Sequence, residues 1–414
     1  MTQEFTKFNK LLLKTLLLAI ISIIPNILFS EQLKIHTWAN TSIKKSFPSR
    51  IMQDNLDIST TGFQLIKSSK KITSKIAVNT NKDYGLFFDQ SFIELKNKNT
   101  IFGIGKINRN WSFSPNTSLI LSQNARPASS IYYNYANVRK SDNKLISWAG
   151  PWSLDTFIST PSSLNKIQNS KLLGIRTVIE PIHNLKFELL KTSQWGGNGQ
   201  LENFSALINA VAGNSNEDKY ANTNQMAGFG ASFLKNVGDI PSRFYVQLIG
   251  EDEAGSLPSC YMSLFGTELQ FPHGKLFSSI GFEFIDTTIG TTAHGNCGPN
   301  TAYNNHSYTY TNYNRVMGTS IDTESKSIGI WASTNISKNS NINYTIRNIS
   351  FNDNNWSDHR LSSSKETGWI ADIETSIKFN SYIINSKLTY QDFYLDKVKY
   401  ENGLNFTLGF EYFF

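Results

Sequence analysis

Short stretches with an apolar residue at every second position run through the chain, punctuated by Asn, Ser, Gly and Asp. The clearest comes last. In Leu404-Asn405-Phe406-Thr407-Leu408-Gly409-Phe410-Glu411-Tyr412-Phe413-Phe414 every even position is apolar, and most odd positions are small or polar. Successive side chains of a strand point to opposite faces, so this pattern makes one wholly apolar face and one mixed face. Lipid outside and polar contents inside would select that arrangement in a membrane-spanning β-strand. A soluble sandwich strand can alternate equally well, but the closing Phe414 also resembles the terminal signal by which outer-membrane barrels are recognised for insertion. Comparable segments occur at 84–95, 243–250, 276–284, 328–336, 342–351, 369–379 and 382–394. Their lengths approach the roughly 9–11 residues that a tilted strand needs to cross the hydrocarbon. At about 21 residues per strand and connection, the chain predicts an all-β, transmembrane outer-membrane β-barrel of about 18 antiparallel strands.

Two regions break the pattern. Residues 198–225 form a long connection in which Leu201, Phe204, Leu207, Ile208 and Val211 fall at helical spacing, which predicts a short helix in a long loop. Residues 291–313, rich in Asn, Thr, Tyr and His, read as a second long loop or plug. Such loops are where functional residues concentrate.

The N-terminus has its own logic. Lys7 and Lys10 precede an apolar run from Leu11 to Phe29 that is interrupted by Lys14 and Pro25. A basic head, a short apolar core and a small residue at Ser30 predict a cleaved signal peptide over 1–30. The clean apolar length is too short for a spanning anchor helix. Residues 31–80 read as a lead-in segment on the periplasmic side, and 81–414 as the barrel.

Composition narrows the class. Charged residues are 17% of the chain and aromatics 13%, with 28 Phe, 17 Tyr and 8 Trp. Ordinary soluble domains carry about 25% charge, and a disordered chain would lack so much ring area. The formal net charge is +7, and the excess is local: thirteen basic residues face six acidic ones between 31 and 110. Such a stretch could attract anionic polymers or lipid head groups, or simply be solvated strand ends and turns. No recognition motif points to nucleic acid. Cys260 and Cys297 are the two cysteines, and export to an oxidising compartment makes them a disulfide candidate. No close-spaced ligand set supports a metal, and no cofactor motif is present.

Four patches could carry chemistry. One runs from Gly103 through Arg109 and Trp111 to Arg126-Pro127, and a second is Gln194-Trp195-Gly196-Gly197-Asn198-Gly199. A third is Gly250-Glu251-Asp252-Glu253-Ala254-Gly255, and the fourth joins His306, Tyr308, Tyr310, Tyr313, Arg315 and Asp322. Glu251 and Glu253 on one strand face would stand about 7 Å apart, a separation an inverting glycosidase could use. The same acids paired with Arg109, Arg126 and Arg315 would form an ion network that fills the lumen without chemistry. Trp111, Trp195, Asn198, His306, Tyr308 and Tyr310 could contact a polysaccharide by stacking and hydrogen bonding. The aromatics among them could equally be interfacial girdle residues. His306 has no nucleophile or acidic orienter in sequence, and no hydrolase or phosphate-loop motif occurs.

In this order the patches resemble the outer-membrane capsule assembly family typified by Wzi. The resemblance rests on Ser118-Leu119-Ile120-Leu121-Ser122-Gln123-Asn124-Ala125-Arg126-Pro127, Gly150-Pro151-Trp152-Ser153-Leu154 and Gln194-Trp195-Gly196-Gly197. It continues through Asn224-Gln225-Met226-Ala227-Gly228-Phe229, the Gly250–Gly255 run, His306-Ser307-Tyr308 and Gly318-Thr319-Ser320-Ile321-Asp322. It implies a plugged 18-stranded lectin barrel in the outer membrane of a Gram-negative bacterium. Such a protein binds and anchors capsular or related surface polysaccharide, is not the export channel and performs no catalysis. On this reading the partners are the polysaccharide and outer-membrane lipid, and the protein works as a monomer. The rival readings are a diffusion porin and a glycan-cleaving outer-membrane enzyme.

Overall fold

A computed structural model describes residues 32–48, 59–162, 167–212, 223–254, 257–273, 276–291, 297–305 and 307–414. The signal segment 1–30 lies outside the described residues. The remainder is an antiparallel meander in which each strand pairs with its neighbours in sequence. The first strand, Gln32–Ser42, closes the sheet against the last, Gly403–Phe413, with Trp38 opposite Glu411 and Ala39 opposite Phe410. The sheet counts 19 strands, but Gly85–Phe87 and Phe92–Asn97 pair with successive parts of Ile72–Asn81. They are two halves of one interrupted strand, so the barrel is closed by 18. At the interruption the Ser91 hydroxyl replaces the missing ladder bonds. It donates to Ala77 O at 3.0 Å and accepts from Ala77 N at 2.9 Å.

Residues 32–81, expected as part of a lead-in, instead supply three barrel strands: Gln32–Ser42, Thr60–Ser68 and Ile72–Asn81. Their alternation is shallow because the outward face of the first includes Thr37 and Ala39 while Trp38 points inward. The seam is latched by side chains from four adjacent strands. Gln64 Nε2 lies 2.8 Å from His36 Nδ1, His36 Nε2 lies 3.0 Å from Glu411, and Asn385 Nδ2 donates to Glu411 at 2.7 Å.

The apolar faces turn outward. Leu404, Phe406, Leu408 and Phe410 are exposed while Asn405 and Thr407 are buried, and the same holds for Ile328 and Ile330 beside buried Ser327. Exposed rings and aliphatics on every side form the belt that lipid covers. The start of the first strand and the end of the last lie at the same rim as turns of two or three residues, such as 69–71, 183–184 and 238–239. Most connections at the opposite rim are long: 106–128, 196–223, 287–325, 352–365 and 392–402. Short periplasmic turns and long outer loops orient such barrels, so the long loops face the cell exterior.

The predicted helix forms at Phe204–Ala212, capped by Asn203, whose Oδ1 accepts from Ala206 N at 2.9 Å. Its packing face is only partly the one expected, with Leu207 packed beside Trp195. Ala206 and Ala210 are buried against Trp195, whereas Phe204 and Ile208 are exposed. Small side chains let the helix approach the indole closely, which longer ones would prevent.

Candidate functional site

The lumen holds a packed core. Residues 106–128 fold inward, leaving Leu119 and Ile120 fully buried and Trp111 only 1% exposed. The wall grips this loop by its backbone. Gln247 Nε2 donates to Trp111 O at 2.6 Å, Arg176 Nη2 to Ser112 O at 3.5 Å, and Arg243 Nη1 to Phe113 O at 3.0 Å. Each of these donors is also tied to a wall carboxylate: Gln247 and Arg176 to Glu188, and Arg243 to Glu268 at 2.6 Å. The Trp111 indole donates to Asp155 at 2.9 Å. Gly174 makes room for it, since a Cβ there would stand 2.7 Å from the Trp111 ring and 2.3 Å from Phe157. Ser114 Oγ bonds Glu283, which also receives Arg347 at 2.8 Å and Tyr245 OH at 3.1 Å.

A second layer covers the first. Tyr303 OH donates to Leu119 O at 2.7 Å, Asn124 Nδ2 to Val316 O at 2.8 Å, and Asn312 Nδ2 to Arg126 O at 2.6 Å. Loop 352–365 then locks onto loop 287–325. Arg360 Nε donates to Asp322 Oδ2 at 2.8 Å and Nη2 to Oδ1. Burial works against the Asp322 charge, but the Arg360 guanidinium outweighs it and holds the carboxyl below its ordinary value. His359 Nε2 donates to Thr323 O at 3.0 Å while Nδ1 accepts from the backbone of Leu361 and Ser362. Burial of that neutral ring pulls its pKa down. Tyr303 is pushed well above the usual phenol value, first by burial and also by Glu251 and Asp322.

The charged residues singled out in sequence are distributed over this plug. Arg126 makes a two-pronged pair with Asp89 at 2.6 and 3.0 Å and is surrounded by the Tyr84, Phe87 and Tyr313 rings. Arg109 lies 4.1 Å from the Phe157 ring centre, with burial pulling its pKa down to about 10 despite Asp155 nearby. Arg315 Nη2 donates to Tyr400 OH at 2.5 Å. Glu251 is buried near Tyr303 and Tyr310, away from the outer cleft. The side chains of Asp252 and Glu253 lie outside the described residues. The expected pairing of these arginines with the acidic run is therefore replaced for Arg109 and Arg126 by wall partners. Alternation of strand faces could have shown those partners, since Asp155, Glu188, Glu268, Glu283 and Arg347 all occupy inward positions beside apolar neighbours.

The aromatic residues expected to stack on sugars are packed into the interior as well. Trp111, Trp195, Tyr308 and Tyr310 are at most 5% exposed, so no ring face among them is open to a polymer. Trp195 packs under the helix, and Tyr308 OH donates to Gly196 O at 2.8 Å, with burial lifting its pKa to about 12. Asn198 is exposed and bonded to Asn169, and His306 lies outside the described residues. Cys260 and Cys297 form a disulfide, Cα atoms 5.4 Å apart, that ties strand Leu257–His273 to the covering loop.

Above the plug, the outer rim leaves a cleft of about 340 Å³ between residues 45–48, 313–322 and 397–400. Lys45, Arg315, Arg360, Lys397 and Lys399 line it against only Asp83 and Asp322. Lys45 is held by Asp83 at 3.0 Å and Arg360 by Asp322. Lys397 and Lys399 are exposed and form no ion pair among the described residues. Tyr84, Tyr313 and Asn314 add ring and amide surface. The cleft thus offers hydrogen-bond donors, ring edges and uncompensated positive charge to the exterior.

Comparison with known proteins decides the family. Residues 52–407 match the family described as capsule assembly protein Wzi. The chain belongs to that family. The Wzi outer membrane protein of Escherichia coli, described as involved in group 1 capsule assembly and as a carbohydrate-binding β-barrel, shares the fold with a TM-score of 0.79. It is 21% identical, and the match covers 92% of this chain and 83% of that one. OprD of Pseudomonas aeruginosa shares the barrel more loosely, with a TM-score of 0.52 at 9% identity over 93% and 95% of the two chains. A protein of the Klebsiella pneumoniae cps region, uncharacterized and of 55.8 kDa, is 28% identical over 212 residues. That alignment spans 51% of this chain and 40% of the relative, less than half its length. Membership of the family and the closed lipid-faced barrel place this Wzi-family protein in the outer membrane.

Proposed function

We propose that this Wzi-family protein binds surface polysaccharide non-covalently at its outer mouth and anchors it to the cell, without catalysis. The observation that carries the reading is an uncompensated cationic, amide- and tyrosine-bearing cleft on top of a lumen packed with side chains. Each contact with a repeating sugar is weak, and many repeats along one polymer, met by many copies of the protein, supply retention. The barrel works as a monomer, with outer-membrane lipid as its second partner. A polysaccharide of the capsular class fits a member of a capsule assembly family whose outer mouth presents exposed Lys397 and Lys399.

The test is a gene deletion complemented with the native chain or with Lys397→Ser/Lys399→Ser, assaying polysaccharide separately in washed cells and in the medium. Deletion is expected to hold total polymer constant while moving the cell-bound share into the medium. The double variant should restore less cell-bound polymer than the native chain. Unchanged fractions on deletion would overturn anchoring. Full rescue by the double variant would move the contact away from this cleft.

A further inference from the structure

Beneath the plug, a second cavity of about 570 Å³ runs toward the short-turn rim. Asn108, Gln123 and Arg126 of the plug form its roof, and Asn341 and Ser376, close to periplasmic turns, line its lower part. The outer cleft is a separate space that shares only Tyr84 with it.

Most of its charges are already matched. Arg126 is paired with Asp89 and Lys387 with Glu374 at 3.6 Å, while Glu411 accepts from Asn385 and lies 3.0 Å from His36 Nε2. Lys75 lines the same wall and forms no ion pair among the described residues. The neutral wall is amide-rich, with Gln64, Asn79, Asn343 and Asn385 facing the space. Two buried side-chain atoms beside it, Gln90 Nε2 and Asn341 Oδ1, have no hydrogen-bond partner among the described residues. The amides that face the space give it donors and acceptors for something polar.

Trp38 supplies a platform. It lies opposite Gly62, where a Cβ would stand 2.5 Å from indole Cζ2. Lacking one, Gly62 lets the indole lie against the neighbouring strand and turn its free side to the cavity. An apolar ring face flanked by amides suits the C–H face and the hydroxyls of a sugar ring, and an unmatched ammonium suits a carboxylate. Asn79 is level with Trp38, and Lys75 precedes Asn79 by four residues. That is about 13 Å along the strand, so a ligand touching both must be longer than one ring.

We infer that this vestibule is a second binding site, one that takes a short acidic oligosaccharide from the periplasmic side. One ring stacks on Trp38 and a carboxylate reaches Lys75. The inference goes beyond the outer-mouth reading and stands without it.

The test is calorimetric titration of the full barrel in detergent with tetragalacturonate and with neutral maltotetraose. Tetragalacturonate should bind more tightly, and Lys75→Gln should remove that preference while sparing maltotetraose. Trp38→Ala should weaken both roughly tenfold, with the heat-shifted band on gels reporting that the variant is folded. Lys397→Ser/Lys399→Ser should leave all of this unchanged, which separates the vestibule from the outer cleft. Absence of tetragalacturonate binding at millimolar concentration, or binding indifferent to Lys75→Gln and Trp38→Ala, would overturn the inference.

Discussion

Arg347 and Glu283 face each other inside the lumen at 2.8 Å with side chains 1% and 0% exposed. Such a pair contributes little over an apolar replacement of both partners, but removing one alone strands a buried charge at a cost of about 3–5 kcal/mol. Arg347→Met should therefore lower unfolding stability by that amount, measured by urea titration in detergent micelles. Adding Glu283→Gln to it should recover a large part of the loss. An equal loss in both variants would mean that Arg347 contributes by packing. At this scale the roles of individual residues were the least legible. Trp111 and Tyr308 look alike in sequence whether they face sugar or core, and only the carbonyls and carboxylates around them decide. Lys397 and Lys399 carried no local signal at all, because their importance comes from the loops that meet beside them.

Among elements, the outer loops behave as a stack in which each holds the one below. The contact between loops 287–325 and 352–365 carries a pH dependence. His359 is held neutral with its pKa below 6.5, while Asp322, Arg360 and Asp396 act on it from the surrounding loops. A free imidazole takes a proton as pH falls past about 6.5, which the packed ring resists, so unpacking gains stability until the packed value is also passed. Asp322 keeps its contribution throughout that window, because its packed pKa lies below 3.8 and its loss begins only in stronger acid. Proteolytic nicking of 352–365 should thus rise between pH 7 and pH 5, and His359→Gln should flatten the profile. A profile that stays steep in the variant would assign the effect elsewhere. The helix at Phe204–Ala212 was legible from spacing, but its orientation only in part, since Ala206 and Ala210 join Leu207 against Trp195 while Phe204 and Ile208 stay exposed.

For the whole molecule, the packed lumen predicts little ion flow. The native barrel in a planar bilayer should show almost no conductance, whereas replacing residues 106–128 by a short Gly-Ser link should open large steps. A high native conductance would favour the diffusion-porin alternative. Barrel class, strand number and the outward apolar belt were written in the sequence by itself, because period-two alternation is local and lipid rewards it strand by strand. The family was legible as well, through runs such as Ser118-Leu119-Ile120-Leu121-Ser122 that turn out to build the plug. Only the tertiary structure drew Gln32–Ser42, Thr60–Ser68 and Ile72–Asn81 into the wall, since closure depends on the pairing of Gln32–Ser42 with Gly403–Phe413, far apart in sequence. It also chose Asp89 for Arg126 and Glu188 for Arg176. Which inward charges meet is set by strand register and loop path, and neither is encoded in any short stretch.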